Sequence, residues 1–435
     1  MEIPLRKEAG VIEERQDNFN SLHTHSMYSL NDSIIRPEEL IERLKELGQK
    51  AVAITDHGNL YAGVHIYKLC KEAGIKYIHG CEFYICDDTS VKDKTSRYYH
   101  LIVLCKNEQG RLNLNKLVSL SELPENFYYK PRIDFDMLVA HKEGLIVCSA
   151  CLAGELARFI SADNYEEAVA RATRYKLAFR DDYYIEIQSH NEKDQIEVNK
   201  KLVGLAEENG IEIVVTTDAH YTWEKDRQYQ NIYAFGGKYK EDGESYIDCY
   251  MQSEQEVRDK LSYLPQHIVD QAIRNTQVIA DKCSVELPLS APIMPKVDTP
   301  PEYPDNLSWL QQICRGGCRR KLGFDIDTLE DAGNPTVPRE ERQKYKDRYE
   351  YEIDALTRMG FIDYTLLVYS YANVGKRRGK GRGSGGGSLV NYFSNITDVD
   401  PIEHGLFFER YVDVSALGAL ERGEITAREL KIPDI

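Results

Sequence analysis

Two histidines stand two positions apart in the stretch FNSLHTHSMYSLND, which covers residues 19–32. Because side chains at positions i and i+2 of a β-strand point the same way, the imidazoles of His23 and His25 can converge on one metal ion. Asp32, seven positions further on, can add a carboxylate ligand. An isolated pair of this kind also occurs on protein surfaces, so the rest of the chain must decide between a metal site and two exposed histidines.

Residues of the same chemistry occur at or just beyond the carboxyl ends of three further strand-like segments: Asp56, His57, Cys151, Asp218 and His220. Glu82 lies within its segment, and His100 lies near the start of its own. Taken singly, each has a structural explanation, such as a helix cap, a core histidine or a buried thiol. Their shared placement favours one site, because a βα barrel assembles its active site at the carboxyl ends of its strands.

The segments that would position these residues alternate between strand-like and helix-like patterns. Strands are predicted at NSLHTH, KAVAITDH, KYIHGCEFYI, YYHLIVLC, GLIVCSAC, YYIEIQSH and IEIVVTTDAH, which are short and rich in β-branched or aromatic residues. Amphipathic helices are predicted between them, such as PEELIERLKELG, which begins near Pro37 and ends at Gly48. Seven strands, each followed by a helix or a long connection, predict an α/β fold with a parallel barrel.

The number and type of candidate ligands indicate the chemistry. Five histidines, three carboxylates and one cysteine exceed the roughly four ligands of one tetrahedral ion, and they suit two or three ions that share carboxylates. Ions about 4 Å apart can activate water and stabilise the leaving oxygen of a phosphoester. Imidazole and carboxylate ligands favour zinc, manganese or iron over magnesium, and a thiolate favours zinc. The predicted reaction is therefore phosphoester hydrolysis.

Seven motifs occur in a fixed order: HTHS, SLND, ITDHGNL, GCEFYI, YHLIVLCKNEQG, CSACLAGE and TTDAHY. From about Phe19 to about Asp281 they resemble the PHP (polymerase and histidinol phosphatase) domain at the amino terminus of bacterial family-C replicative DNA polymerases. The resemblance implies a distorted seven-stranded βα barrel with a trinuclear metal site. Its implied ligands are His23, His25, Asp32, His57, Glu82, His100, Cys151, Asp218 and His220. Asn31 and Ser33 depart from the family's SLLDG motif on either side of Asp32.

The composition changes beyond residue 283, where SVELPLSAPIMPKVDTPPEYPDN holds six of the fifteen prolines. This stretch is typical of an extended connection between domains. The predicted organisation is a polar segment over 1–18, the barrel over 19–281, the connection over 282–306 and a second domain over 307–435.

The second domain contains a glycine run, GKGRGSGGGSLVNYF, that precedes a predicted helix. Free backbone amides at a helix amino terminus, with Lys380 and Arg382 beside them, can cradle phosphate. A flexible linker is the alternative, and the missing GK[ST] ending excludes a P-loop.

The stretch GKGRGSGGGSLVNYFSNITDVDPIEHGLFFERY is similar to the opening of the family-C polymerase palm. The resemblance implies that Gly383 and Ser384 hold the triphosphate of the incoming nucleotide. Asp434, in KIPDI, matches the first catalytic aspartate, which binds magnesium, and the second would be the residue that follows Ile435. The preceding SALGALERGEITARELK is longer than the family's usual link and resembles an insertion of unknown role.

Two-metal nucleotidyl transfer needs at least two carboxylates, so primer extension by these 435 residues alone is not expected. The sequence is compatible with a fragment of a longer polymerase and with one half of a split polymerase whose partner carries the rest.

Composition restricts the remaining possibilities. No apolar run approaches the roughly 18 residues that span a membrane, and the start lacks a signal peptide's apolar core, so we expect a cytoplasmic protein without membrane contact. The ten cysteines are expected to be free, mostly buried thiols. A net charge of −16 argues against indiscriminate coating of nucleic acid, although a locally basic groove remains compatible with it.

Three classes of function remain. The barrel is expected to be a metal-dependent 3′ to 5′ exonuclease in a DNA-directed DNA polymerase; the alternatives are a structural barrel without activity and a small-molecule phosphoesterase. Because all nine ligand positions are filled, activity is favoured. The implied cofactors are up to three zinc or manganese ions in the barrel, and magnesium in a completed palm. The implied partners are DNA, deoxynucleoside triphosphates, a second polypeptide carrying the rest of the polymerase, and other replisome proteins.

Overall fold

The computed structural model describes residues 18–94, 98–234, 246–289, 293–374, 379–381, 383–426 and 430–433. The chain forms two compact units, one ending at Leu287 and the other starting at Pro288. This division lies inside the proline-rich stretch. Apart from Asn18, the predicted polar segment 1–18 lies outside the described residues. Within the described ranges, no helix is both long enough and apolar enough to cross a bilayer.

The first unit is organised around one seven-stranded sheet. Its strands are β1 (Ala51–Ile54), β2 (Lys76–Cys86), β3 (Tyr98–Cys105), β4 (Arg132–Asp134), β5 (Leu145–Cys148), β6 (Tyr183–Gln188) and β7 (Glu212–Thr216). The strand order is β1-β2-β3-β5-β6-β7, and β4 pairs with the second half of β2. The predicted α/β class with a distorted seven-stranded barrel is confirmed.

The expectation that all strands are parallel is wrong. β3 runs antiparallel to both of its neighbours, β2 and β5, whereas the other pairs are parallel. A parallel return needs a crossover of a dozen or more residues, usually with a helix. The connection from Asp87 to Arg97 is shorter than that, and its described part contains no helix, so the chain reverses direction.

The segment that carries His23 and His25 closes the barrel. Ser21 bridges to Val52 on one side, and Thr24 bridges to Ala219 on the other. The backbone N–H of His25 donates to the Ala219 carbonyl at 2.9 Å. The predicted strand NSLHTH is therefore present as two isolated bridges that join the first strand to the end of the last. The three-residue β4 was not predicted, because it is too short to show a periodic pattern.

Ten helices in the described part of the first unit surround the sheet. They are α1 (Pro37–Leu47), α2 (Gly63–Ala73), α3 (Glu108–Ser121), α4 (Phe135–Ala140), α5 (Glu155–Ser161), α6 (Tyr165–Phe179), α7 (Lys193–Asn209), α8 (Arg227–Ala234), α9 (Glu254–Lys260) and α10 (Gln266–Lys282). α1 has the predicted bounds: Pro37 lies in its first turn, and Gly48 ends it at φ 70°, a left-handed conformation that glycine adopts without strain.

Alternate residues of the strands point to two different cores. In β3, Leu101 and Val103 pack with the helices, whereas Ile102 and Leu104 belong to the barrel interior. His100 has the parity of this interior row, and Glu82 in β2 has the parity of the interior residue Ile78. The apolar interior therefore continues into polar residues at one end of the barrel.

The described part of the second unit is helical, and it contains no strand beyond an isolated bridge between Phe324 and Asp331. Its helices are α11 (Asn306–Leu322), α12 (Arg342–Arg358), α13 (Ile362–Ala372), α14 (Leu389–Phe393) and α15 (Ala416–Glu421). One apolar core joins them, in which Cys314, Leu356 and Phe393 are fully buried. The glycine run forms a 3₁₀ turn, Gly383–Gly387, directly before α14.

Candidate metal centre

The nine side chains implied as ligands form one continuous cluster at the polar end of the barrel. Glu82 lies in the middle: its Oε2 is 3.0 Å from His25 Nε2 and 3.0 Å from His57 Nδ1. Its Oε1 is 3.0 Å from His100 Nδ1. A carboxylate that contacts imidazoles through both oxygens is well placed to bridge two ions.

Asp218 and Asp32 extend the cluster on either side of Glu82. Asp218 Oδ1 lies 3.0 Å from His23 Nε2, and Asp32 Oδ2 lies 3.1 Å from His57 Nε2 and 3.0 Å from His220 Nε2. Three sets of side chains each offer ligand atoms within 4.8 Å of one another. They are His23, His25 and Asp218; His57, Glu82 and His100; and His25, Asp32, His57 and His220. His25 and His57 are each shared by two sets, as expected of ions that lie close together.

Cys151 lies at the edge of this cluster. Its Sγ is 3.6 Å from His100 Nδ1 and 3.9 Å from Glu82 Oε1, so it adjoins the second set without belonging to any of the three. Burial raises the pKa of its thiol. Cys148 precedes it at CxxC spacing, but it packs in the barrel interior. Both are free thiols, as are the other eight cysteines, which confirms that prediction.

Groups behind the histidines fix which ring nitrogen faces the site. His23 Nδ1 donates to Glu186 Oε1 at 2.7 Å, and His220 Nδ1 donates to the Asp218 carbonyl at 2.7 Å. His25 Nδ1 donates at 2.9 Å to Ser29 Oγ, which itself donates to Asp56. Because Nδ1 is the donor in all three rings, Nε2 is the nitrogen that faces the cluster, and in the neutral ring it offers its lone pair there.

The positions of these lone pairs provide a test of whether the site fits a metal. His23 Nε2 and His25 Nε2 lie 3.1 Å apart, a contact in which two neutral rings with Nδ1 protonated would set acceptor against acceptor. Two nitrogens bound tetrahedrally to one zinc ion at about 2.1 Å would lie about 3.4 Å apart. Asp218 Oδ1 and His57 Nδ1 are buried and have no hydrogen-bond partner of acceptable geometry among the described residues. The donor set therefore fits a divalent cation.

The close approach of buried imidazoles and carboxylates also shifts the pKa values of both kinds of group. Burial opposes protonation of His57, but the carboxylates of Glu82 and Asp32 raise its pKa to about 10. Burial likewise opposes ionisation of Asp32 and Asp218, yet the surrounding imidazoles hold the pKa of both carboxyls far below the usual range. The carboxylates stay negative and require positive charge beside them, which protonated imidazoles or metal ions can supply.

Sequence reasoning missed Glu186, whose signal was a carboxylate inside the apolar strand YYIEIQ. It lies in β6, is fully buried, and accepts from Thr216 Oγ1 at 2.6 Å as well as from His23. Asp56 also follows a strand end, but it is not one of the nine implied ligands. It is a positioning residue: its carboxylate accepts from Ser26 N at 2.7 Å and from Ser29 Oγ at 3.1 Å, which holds the loop after His25.

Asn31 and Ser33, the two residues that differ from the family motif, stabilise the conformation of the loop that carries Asp32. Asn31 has φ 63°, a left-handed conformation that asparagine tolerates better than most residues. Ser33 Oγ lies 2.7 Å from the His25 carbonyl and 2.9 Å from the His220 carbonyl, so its hydroxyl can donate to either. Ser33 thus connects the loop to the segment that carries His25 and to the segment that carries His220, which meet where the barrel closes.

The predicted phosphate cradle in the second unit differs from expectation at one point. The N–H groups of Leu389 and Val390, at the start of α14, donate to the carboxylate of Glu352 at 2.9 and 3.0 Å. Glu352 is fully buried and is paired with Arg348 at 2.6 Å. A carboxylate of the chain itself occupies this helix terminus, so the expectation that these amides are free for phosphate is wrong.

The glycine run itself is packed. A Cβ on Gly387 would lie 2.6 Å from the Phe407 carbonyl oxygen, so only glycine fits there. Lys380 and Gly383 are exposed, and Ser384 is half-buried. Arg382 and Asp434 lie outside the described residues.

Comparison with known proteins assigns both units. The PHP domain model matches residues 21–190, and the model for the bacterial DNA polymerase III alpha NTPase domain matches residues 308–417. The first unit is therefore a PHP domain, and the predicted resemblance to family-C polymerases is confirmed.

Curated relatives that match most of this chain give the same assignment. The DNA polymerase III subunit alpha of Treponema pallidum is 35% identical over 416 residues, which cover 91% of this chain and 33% of the relative. That of Borreliella burgdorferi is 36% identical over 413 residues, which cover 92% and 34%. The chain is thus homologous to the amino-terminal region of DNA polymerase III alpha subunits, and it spans about a third of their length.

A solved structure of a putative metal-dependent phosphoesterase from Bifidobacterium adolescentis is similar at 14% identity and a TM-score of 0.31, covering 57% of this chain and 97% of that one. This likeness is too low to support an argument about the site.

Proposed function

We propose that the first unit is a metal-dependent 3′ to 5′ exonuclease in the amino-terminal region of a replicative DNA polymerase. The observation that carries the proposal is that three ligand sets adjoin one another: they share the imidazoles of His25 and His57, and Glu82 contacts both of these rings. Separate sets that share ligands suit a phosphodiester, whose attacking and leaving oxygens both need stabilisation.

The ligands would be His23, His25, Asp32, His57, Glu82, His100, Cys151, Asp218 and His220. Bound divalent ions, zinc or manganese by the donor types, would supply an activated water and stabilise the leaving oxygen. The chain's own part is to orient the imidazoles through Glu186, Ser29 and the Asp218 carbonyl, and to keep the carboxylates ionised.

Two alternatives are less well supported. A barrel that only braces a polymerase has no need for a buried carboxylate behind His23 or for two buried imidazole nitrogens 3.1 Å apart. A small-molecule phosphoesterase does not account for the second unit, whose match is to a polymerase alpha subunit domain.

For the second unit we propose the start of a polymerase palm. Lys380, Arg382, Gly383 and Ser384 would contact the triphosphate of a deoxynucleotide, and Asp434 would be one of the carboxylates that hold magnesium. The partners would be DNA, the rest of the polymerase, on the same or a second polypeptide, and other replisome proteins in the cytoplasm.

The experiment combines metal analysis with cleavage of a single-stranded oligonucleotide labelled at its 5′ end. We expect about three transition-metal ions per chain and a ladder that shortens from the 3′ end. His23→Ala and Asp218→Ala should each lose at least one ion together with cleavage. His267→Ala is the control, because this histidine is exposed and distant in sequence from the cluster.

Less than one ion per chain after purification without chelator would refute the metal site. Release of nucleotides only from 5′ ends, or hydrolysis of a phosphomonoester alone, would refute the exonuclease.

A further inference from the structure

A cleft of 490 Å³ opens beside the metal centre, and Asp32, His57 and His100 form part of its wall. Its outer wall includes Leu30, Tyr61, Tyr84, Tyr98, Glu122 and Lys130. The cleft therefore leads from the protein surface to the proposed ligands, and its outer residues have no part in holding them.

Large side chains at the rim are exposed. Tyr61 is 68% exposed and Tyr98 is 39% exposed, while Leu30 is 69% exposed. Two aromatic rings open to solvent at the mouth of a polar cleft are unusual, since tyrosine generally buries most of its ring. They provide flat apolar surfaces on which a planar group can stack.

A stack of rings links this rim to the metal centre. Tyr84 lies 5.4 Å from His57, with the two rings inclined by 17°, and it meets Tyr98 edge to face at 5.2 Å. Lys130 Nζ lies 4.9 Å from the centre of the Tyr84 ring. The ammonium group is thereby held against the ring of Tyr84, one ring away from a proposed ligand.

The few charged side chains of the cleft restrict the kind of nucleic acid that it can bind. Among its described outer residues Lys130 is the one cation, and Glu122 lies on the outer rim. Duplex DNA is held by many phosphate contacts along both strands, which one lysine cannot supply. Single strands are held by a few cations together with aromatic rings that stack on successive bases.

We propose that Tyr61 and Tyr98 stack on the terminal bases of a single DNA strand while Lys130 contacts the phosphate next to the scissile one. This subsite rests on the proposed exonuclease, since it feeds the same metal centre. It selects ends whose bases are already unpaired, because a base within a duplex is stacked on its neighbours and must be unstacked before it can stack on a tyrosine.

The test uses the full chain, loaded with metal, and two single-stranded substrates that differ only at the 3′ end. One carries normal nucleotides, and the other carries two abasic residues, which keep the phosphates and lack the bases. Because each stacked base contributes about tenfold in affinity, Tyr61→Ala should raise KM for the normal end about tenfold and leave KM for the abasic end unchanged. Tyr61→Phe should retain the normal KM, since it keeps the ring.

Lys130→Gln should raise KM for both ends, because both keep the phosphate. Tyr129→Ala is the matched control: this tyrosine is 81% exposed and does not line the cleft. Equal KM values for Tyr61→Ala and the unchanged chain, with cleavage intact, would overturn the subsite and leave the exonuclease standing.

If the unchanged chain cleaves neither substrate, the exonuclease fails, and the subsite is then decided by binding. Fluorescence anisotropy with the two oligonucleotides should still show weaker binding of the normal end by Tyr61→Ala. Equal binding by Tyr61→Ala and the unchanged chain would overturn it.

Discussion

Replacing Glu186 by glutamine tests whether the buried carboxylate behind His23 supports metal binding. The side chain keeps its size and can still accept from Nδ1, but it loses its charge. A hydrogen bond to a charged group stabilises by about 1.5–3 kcal/mol and a neutral one by about 0.5–1.5 kcal/mol. The difference of about 1.4 kcal/mol predicts about tenfold weaker metal binding, at the lower end of the 10–100-fold typical of such partners.

The assay is a titration of metal-free chain with zinc in competition with a chromophoric chelator. We expect Glu186→Gln to weaken the ion held by His23, His25 and Asp218, and to leave the ion at Glu82 and His100 unchanged. Only one step of the titration should move, because Glu186 contacts a single ligand ring.

Glu155→Gln is the matched control for neutralising a buried carboxylate. Glu155 is 4% exposed and pairs with Arg171 at 2.6 Å rather than with a proposed ligand. Identical titrations for Glu186→Gln and the unchanged chain would refute the argument that this carboxylate orients His23 for a metal. An equal loss in both variants would show a general effect of removing buried charge.

The remaining predictions concern pH, the glycine run and the palm. The folded-state pKa of His57, about 10 without metal, lies above its ordinary value of 6.5, so its contribution to stability is complete below pH 6.5 and is lost as pH rises towards 10. The rise in Tm that zinc produces should therefore grow from pH 6.5 to pH 9; a constant or falling increment by differential scanning fluorimetry would contradict this. Glu352→Ala removes the buried acceptor of the Leu389 and Val390 N–H groups and the carboxylate partner of the half-buried Arg348. It should therefore lower the free energy of unfolding of the second unit by about 3–5 kcal/mol in urea, whereas the exposed Glu350→Ala should change it by less than about 0.5 kcal/mol. No primer extension is expected from the 435 residues alone with magnesium and four deoxynucleotides. If a polypeptide with the downstream aspartates restores extension, Asp434→Asn should abolish it; extension without such a partner would show that the carboxylates were misplaced.

The clustering of the candidate ligands could be predicted from sequence because most of them stand at strand ends with recognisable spacing. His23 with His25, and Asp218 with His220, are pairs two positions apart that follow apolar strand residues. Glu82 lies within its strand and not at the carboxyl end. Its side chain nevertheless has the parity of the barrel interior and therefore reaches the centre of the cluster.

The features that could not be predicted depend on contacts distant in sequence. Glu186 was missed because one charged residue in an apolar strand does not reveal which side chain it will face, and its partner His23 lies 163 positions away. The direction of β3 depends on the connection before it, and composition does not report that. Glu352 occupies the start of α14 from a different helix, so the glycine run alone suggested free amides.

Residues 19–25 close the barrel by joining its first strand to the end of its last strand. A metal ion bound at the proposed centre would therefore cross-link parts of the chain that are distant in sequence. Asp32 and His220 lie 188 positions apart, yet both belong to one ligand set. An ion held there would close a loop of that length, and in the chain-entropy treatment used for disulfides this removes about 5 kcal/mol of conformational freedom from the unfolded chain. Such a cross-link would prevent the first and last strands from unfolding separately. Metal loading should therefore determine how resistant this end of the barrel is to proteases.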